Sequence, residues 1–138
     1  MSDPAADATH ARLYLESHND GVAVVTLPGT HYRLHLKCEN TPDATPQGRI
    51  QGTIACDVWK LDDVDQGGAY IEPVYGRPRR VQGKVTATNT ANNSVVLEVC
   101  GQPVVGLLPE RWTANQLPIG ETVALDVAPG ASFLPPAS

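Results

Sequence analysis

The feature that most constrains this 138-residue chain is a set of turn-forming residues that recurs at a fixed spacing. Gly29 and Gly101 each separate two apolar runs and lie 72 residues apart, and the Pro-Gln-Gly at 46–48 recurs 72 residues later as Pro-Ile-Gly. With short gaps, residues 53–58 match 122–127 and residues 68–73 match 130–135. Glycine and proline punctuate structure, so their recurrence indicates that a structural unit is repeated.

The repeat divides the chain into two similar modules. We place a leader at 1–10, module one at 11–75, a hinge at 76–80 and module two at 81–138. Modules of about 60 residues are marginal alone because they bury a small share of their surface, so the two copies are expected to share an interface. They could form separate barrels or one fused body. Valine-rich strands also align with one another by coincidence, which is the alternative to a true repeat.

Composition favours strands over helices. Gly and Pro number 12 each and aromatic residues make up 5% of the chain, which is typical of a turn-rich all-β protein. The net charge of −5 argues against a protein that binds the nucleic acid backbone through its overall field. A local basic patch is compatible with this charge.

Several other classes of protein are not indicated by the sequence. Cys38, Cys56 and Cys100 are odd in number and far apart, which is unlike a disulfide framework or a zinc knuckle and favours reduced thiols in a cytoplasmic protein. Residues 1–10 are acidic and alanine-rich, so we interpret them as a disordered leader and not as a signal peptide. No apolar stretch approaches the length of a membrane span, and we expect no metal and no cofactor.

Alternation of apolar and polar residues predicts five strands in each module. In module one the predicted strands are 11–16, 22–27, 31–37, 50–59 and 69–74, with an acidic loop at 61–68. In module two they are 81–88, 95–100, 104–108, 122–127 and a last one near Phe133. Residues 110–117 could form one or two helical turns, with Trp112 and Leu117 against a barrel end. Five strands with a small plug between the third and the fourth is the order of an OB-type barrel, so we predict two tandem OB-like barrels.

Module two also carries a pattern that is found in a known family. Its parts are Val81-Gln82-Gly83-Lys84-Val85, Val95-x-Leu97-x-Val99, Val105-Gly106-x-Leu108-Pro109, Gly120-Glu121-Thr122-Val123 and Asp126-Val127. This pattern resembles the RNA-binding OB domain that occurs repeatedly in a large ribosomal protein and in exonucleases. The resemblance implies an OB fold with RNA as the ligand. The family's RNA-facing aromatic residues and its third-strand histidine have no counterparts among Ser94, Val96, Pro103, Val104 and Val105. A pair of small sandwiches or SH3-like barrels is the structural alternative.

The first candidate binding surface is one face of the third predicted strand. Four basic or potentially basic residues alternate there with Tyr32, Leu34 and Leu36, namely His31, Arg33, His35 and Lys37. Alternate residues of a strand lie about 6.6–7 Å apart on one face, which suits successive phosphates or a carboxylate-rich partner. The alternative is an ordinary solvated strand face.

The second candidate surface lies at the hinge, where Tyr75 is followed by Arg77, Arg79 and Arg80. An arginine beside a tyrosine can bind a phosphate through paired hydrogen bonds or stack on a base. The alternative is that the acidic residues shortly upstream, Asp62, Asp63 and Asp65, pair with these arginines inside the protein.

No active-site motif is present in the sequence, so we do not expect an enzyme. We predict a non-catalytic binding module whose partner is single-stranded RNA or DNA, or another phosphate-bearing ligand. The alternative is a structural or protein-interaction module in which exposed edge strands pair with a partner or with a second copy.

Overall fold

The structure is a computed structural model in which residues 9–64 and 67–135 are described, and its regular secondary structure consists of β-strands and one short 3-10 helix. The all-β prediction is therefore confirmed. Within these described residues, eleven strands form one mixed sheet. Their bounds are β1 (Ala11–Asn19), β2 (Val22–Thr26), β3 (Arg33–Lys37), β4 (Arg49–Asp63), β5 (Tyr70–Glu72), β6 (Tyr75–Gly76), β7 (Arg80–Asn89), β8 (Ser94–Val99), β9 (Gln102–Leu107), β10 (Thr122–Val127) and β11 (Ser132–Leu134).

Two tight hairpins follow from left-handed residue pairs. Asp20 and Gly21, with φ of 52° and 74°, connect β1 to β2. Cys100 and Gly101, with φ of 51° and 83°, connect β8 to β9. A two-residue hairpin loop with positive φ at both positions matches the right-handed twist of its strands, and glycine at the second position of each loop adopts this conformation without steric cost.

Strand pairing forms two closed paths that share β4. Ring one runs β1, β2, β3, β11, β4 and back to β1, and ring two runs β4, β10, β7, β8, β9 and back to β4. Each ring contains one parallel pair, β3 with β11 in ring one and β9 with β4 in ring two. The other pairs within the two rings are antiparallel.

The strand β4 is longer than the sequence indicated. We predicted a strand at 50–59 and an acidic loop at 61–68, whereas β4 continues through Leu61 and Asp62 to Asp63. Its second half pairs with β10, and Asp62 lies 3.6 Å from the Arg80 guanidinium and 3.9 Å from the Lys60 ammonium. These cations offset the negative charge that made the segment look like a loop.

The last strand, β11, closes ring one although it follows β10 of ring two in the chain. Phe133 is 1% exposed and stands opposite Ile54 of β4. A methyl group added at Gly52 would lie 2.5 Å from both the Phe133 side chain and the Leu134 carbonyl oxygen. The glycine therefore allows β11 to pack closely on β4.

Residues 70–80 cross from one ring to the other. The strand β5 pairs with β7, and the strand β6 pairs in parallel with β3. The Tyr32 hydroxyl accepts a hydrogen bond of 3.2 Å from the Ile71 N–H. The hinge that we predicted at 76–80 thus begins at the end of β6 and ends at the start of β7, and the division into two modules remains a prediction.

Valine, leucine and isoleucine form one core cluster that includes residues of both rings. Trp112 and Leu117 pack against this core and flank a short 3-10 helix, Ala114–Gln116, so the helical turn expected between β9 and β10 is present. Residues 1–8 of the predicted leader lie outside the described residues.

Candidate binding surface on ring one

The outer face of β3 carries three of the four predicted basic residues. Leu34 and Leu36 are fully buried, while Arg33 and Lys37 are exposed and His35 is half-buried between them. His31 is also exposed, but it precedes the strand, which begins two residues later than we predicted. The strand therefore spaces Arg33, His35 and Lys37 along one face and leaves His31 at its entrance.

Tyr75 joins the two surfaces that the sequence presented separately. The strand β6 places Tyr75 opposite Arg33, and the side chain of Tyr75 is 60% exposed. Its aromatic ring meets His35 edge to face at 5.1 Å between centroids, and the Arg33 guanidinium carbon lies 6.0 Å from its centroid. An exposed aromatic face beside a cation is a platform on which a base can stack.

Lys37 and Arg77 line one open cleft of about 540 Å³ at the far end of this face. Asp20 and Glu39 line the same cleft. Among residues 9–64 and 67–135, none of these four side chains forms an ion pair. The two cations are therefore available to an anionic ligand, and the two carboxylates limit the positive potential around them.

Glu16 is a further member of this surface that the sequence did not indicate. It lies at a bulge of β1, between Leu15 and Ser17, and its carboxylate is 3.4 Å from the Arg33 guanidinium. Both side chains are substantially exposed, so this ion pair contributes little to stability. It does partly neutralise the Arg33 guanidinium. We name the surface formed by Arg33, His35, Lys37, Tyr75 and Arg77 the cationic face.

The Arg80 side chain is not part of the cationic face, because it is bound by neighbouring side chains. Its guanidinium donates to the Tyr70 hydroxyl at 3.2 Å and to the Asp126 carboxylate at 2.5 Å, and Asp62 is 3.6 Å away. The hydrogen bonds to Tyr70 and then to Asp126 hold the pKa of Arg80 above its usual range. The internal pairing that we considered for the arginine cluster is thus present for Arg80 and Asp62, whereas Asp65 lies outside the described residues.

Arg79 is fixed through its backbone, whereas its side chain is exposed. Its backbone N–H donates to the Glu72 carbonyl at 2.8 Å, and its carbonyl accepts from the Val127 N–H at 2.9 Å. Its side chain is exposed, and no contact brings it to the cationic face within the described part of the chain.

The corresponding outer face of ring two carries a groove whose lining is uncharged. Ser94 and Val96 of β8 pair with Leu107 and Val105 of β9. They line a groove of about 860 Å³ together with residues such as Thr53, and none of the described residues that line it is charged. The two rings therefore present different chemistry to solvent.

Comparison with known proteins adds no relative to this description. No protein-family model matches the chain, and no curated protein or solved structure is similar to it. Within residues 9–64 and 67–135, no three His, Cys, Asp or Glu side chains are grouped so that they could hold a metal ion. No helix in the described part of the chain is long and apolar enough to span a membrane.

Proposed function

We propose that this chain is a non-catalytic binding module whose cationic face binds single-stranded nucleic acid or another phosphate-bearing ligand. The observation that carries the proposal is the convergence of Arg33, Lys37 and Arg77 with the exposed Tyr75 on one side of ring one. Cations can contact phosphates, and an aromatic ring can stack on a base without selecting its sequence. Local clustering supplies the positive potential that the net charge of −5 does not.

The proposal includes an architecture in which each ring is an OB-like barrel, derived from one duplicated module. Three pairs of left-handed residues, each separated by 72 positions, support the duplication. They are Gly21 and Asn93 (φ 74° and 52°), Gly29 and Gly101 (77° and 83°), and Gly48 and Gly120 (81° and 94°). Turn positions constrain the backbone more than valine-rich strands do, so their common spacing argues against coincidence.

Strand pairing also supports two barrels, but it indicates that they are not simply arranged one after the other along the chain. In ring one the parallel partner of the third strand is β11, and in ring two it is β4, so each ring takes its fifth strand from the other half of the chain. The bulges after Leu15 and Val85 correspond as well. The fourth strands do not align as the sequence match predicts, because that match pairs Gly48 with Gly120. In ring one the Leu15 N–H donates to the Gly48 carbonyl, whereas in ring two the corresponding Val85 N–H donates to the Glu121 carbonyl. We therefore propose two interlocked barrels that exchange their fifth strands.

The interaction-module hypothesis receives less support. Within residues 9–64 and 67–135 strand pairing closes both rings, and the Ile71 N–H of β5 is already bound by the Tyr32 hydroxyl, which disfavours the addition of a strand there. Cys38, Cys56 and Cys100 are all outside disulfides, which is compatible with the predicted cytoplasmic location.

Fluorescence anisotropy of labelled single-stranded RNA and DNA, titrated at low and physiological salt, tests the binding proposal. We expect Lys37→Ala/Arg77→Ala to weaken binding about tenfold or more at low salt and to reduce the slope of log affinity against log salt by roughly 1.4, since each phosphate contact on a single strand contributes about 0.7. The matched control is Lys60→Ala/Lys84→Ala, which removes the same charge away from the cationic face.

Equal losses in the two double variants would mean that only net charge matters and that the cationic face is not the site. An absence of binding by the unmodified protein at low salt would rule out the nucleic acid proposal. The protein would then be studied as an interaction module.

A further inference from the structure

Two buried polar atoms of the described chain lack a hydrogen-bond partner, and both belong to the outer side of β2 and β3. They are the hydroxyl oxygen of Thr26 and the Nε2 atom of His35. A buried polar group without a partner is destabilising, and it is uncommon in folded proteins. Valine would fill the space of Thr26 without this penalty, and Val22 and Val24 occupy the neighbouring outer positions of the same strand.

Strand register brings these two atoms to the same part of the surface. Thr26 pairs with Arg33, and His35 follows two residues later on the same face. Diagonal neighbours of this kind lie within reach of long side chains or of one small planar ligand. On its other side Thr26 pairs with Tyr14 of β1, so the row across the sheet is Tyr14, Thr26, Arg33 and Tyr75.

Tyr75 packs against one of the two residues, His35. Its aromatic ring contacts His35 at 5.1 Å, while the residue itself is 60% exposed and belongs to a strand of two residues. A side chain that is mostly in solvent can change rotamer at small cost. The edge of the His35 ring can thereby become accessible without disturbing the core, and Thr26 lies beside it in the strand register.

We propose that Thr26 and His35 form a nucleobase-recognition subsite beside Tyr75. The polar edge of one base hydrogen-bonds to the Thr26 hydroxyl and the His35 imidazole, its face stacks on Tyr75, and its flanking phosphates contact Arg33 and Lys37. A hydroxyl both donates and accepts, and the imidazole nitrogen does either according to its tautomer, so this pair can match a base edge. The inference rests on the proposed function and narrows it, because a polyphosphate without bases would not use these atoms.

The test compares two labelled single strands of equal length, one ordinary DNA and one with abasic sugars throughout, on the full chain and on Thr26→Val. We expect the unmodified protein to bind the ordinary strand more tightly than the abasic strand. Thr26→Val should weaken binding of the ordinary strand about five- to tenfold, leave the abasic strand unchanged, and raise the urea midpoint because an unpartnered hydroxyl is removed. The control is Thr53→Val, a half-buried threonine on the outer side of β4, which should change neither affinity.

The outcomes distinguish base recognition at Thr26 and His35 from the proposed nucleic acid binding by the cationic face. Equal affinity of the unmodified protein for the two strands, or an equal effect of Thr26→Val on both, would overturn base recognition while leaving phosphate binding in place. Failure of the unmodified protein to bind either strand would overturn the proposed function and this inference together.

Discussion

The outer faces of the two rings differ in chemistry although their strands are paired in the same way. On ring one, His35 pairs with Val24 of the second strand, and on ring two Val105 pairs with Val96 of the corresponding strand. In this register Arg33, His35 and Lys37 correspond to Pro103, Val105 and Leu107. The inward-facing residues close each ring, whereas the outward-facing ones are free to carry a site on one ring and not on the other.

The two rings also differ in how they are closed. Ring two is completed by the second half of β4, which runs on directly from ring one, whereas ring one is completed by β11 after the chain has formed most of ring two. The cationic face thus depends on the last strand in the chain, because β11 pairs with β3 at Lys37. This dependence can be tested by weakening each ring in turn.

The largest effect is expected from Phe133→Ala. Removing a fully buried phenylalanine typically costs about 3–5 kcal/mol of unfolding free energy, measurable by urea denaturation. Because Phe133 packs where β11 closes ring one, hydrogen exchange should show greater loss of protection in β2 and β3 than in β8 and β9. Val99→Ala, a buried substitution in β8, should show the reverse order.

Uniform loss of protection over both rings in the two variants would show that the chain unfolds as one cooperative unit. The rings would then differ in surface chemistry but not in stability, and the comparison would be reduced to their outer faces.

A smaller effect, shared by both rings, is expected at Cys56, where β4 passes from one ring to the other. Burial, and secondarily the charge of Asp57, raises the pKa of the Cys56 thiol from 9.0 to about 12. The unfolded chain therefore releases this proton first, so the stability conferred by the protonated thiol is complete below pH 9 and is lost as pH rises towards 12. Between those values the loss should be about 1 kcal/mol per pH unit.

Urea denaturation at pH 8 and at pH 10.5 measures this loss. Cys56→Ala should have lower stability at pH 8 but a shallower fall between the two values, whereas Cys100→Ser, at an exposed turn, should fall as the unmodified protein does. A slope that Cys56→Ala leaves unchanged would assign the pH dependence to other groups.

Local patterns in the sequence predicted much of this fold, and long-range pairing explains what they missed. Alternation at 33–37 placed Leu34 and Leu36 in the core and the basic residues outside, as observed. The extension of β4 to Asp63 was missed because the strand that pairs with this half, β10, lies far along the chain. Tyr75 reaches β3 through a parallel pair of two residues, and such a pair leaves no periodic signal.

The Glu16–Arg33 ion pair was likewise not predicted from local sequence patterns. The smallest of the expected effects is at Glu16. Glu16→Gln removes the carboxylate 3.4 Å from Arg33 and should tighten binding of single-stranded DNA about two- to threefold at low salt, with little change in stability because the pair is exposed. Glu98→Gln makes the same charge change on the outer side of β8, next to Lys84. If the cationic face is the site, Glu16→Gln should increase affinity more than Glu98→Gln does. Equal gains would indicate that the ligand responds to net charge alone, and the difference between the two faces would then have no part in binding.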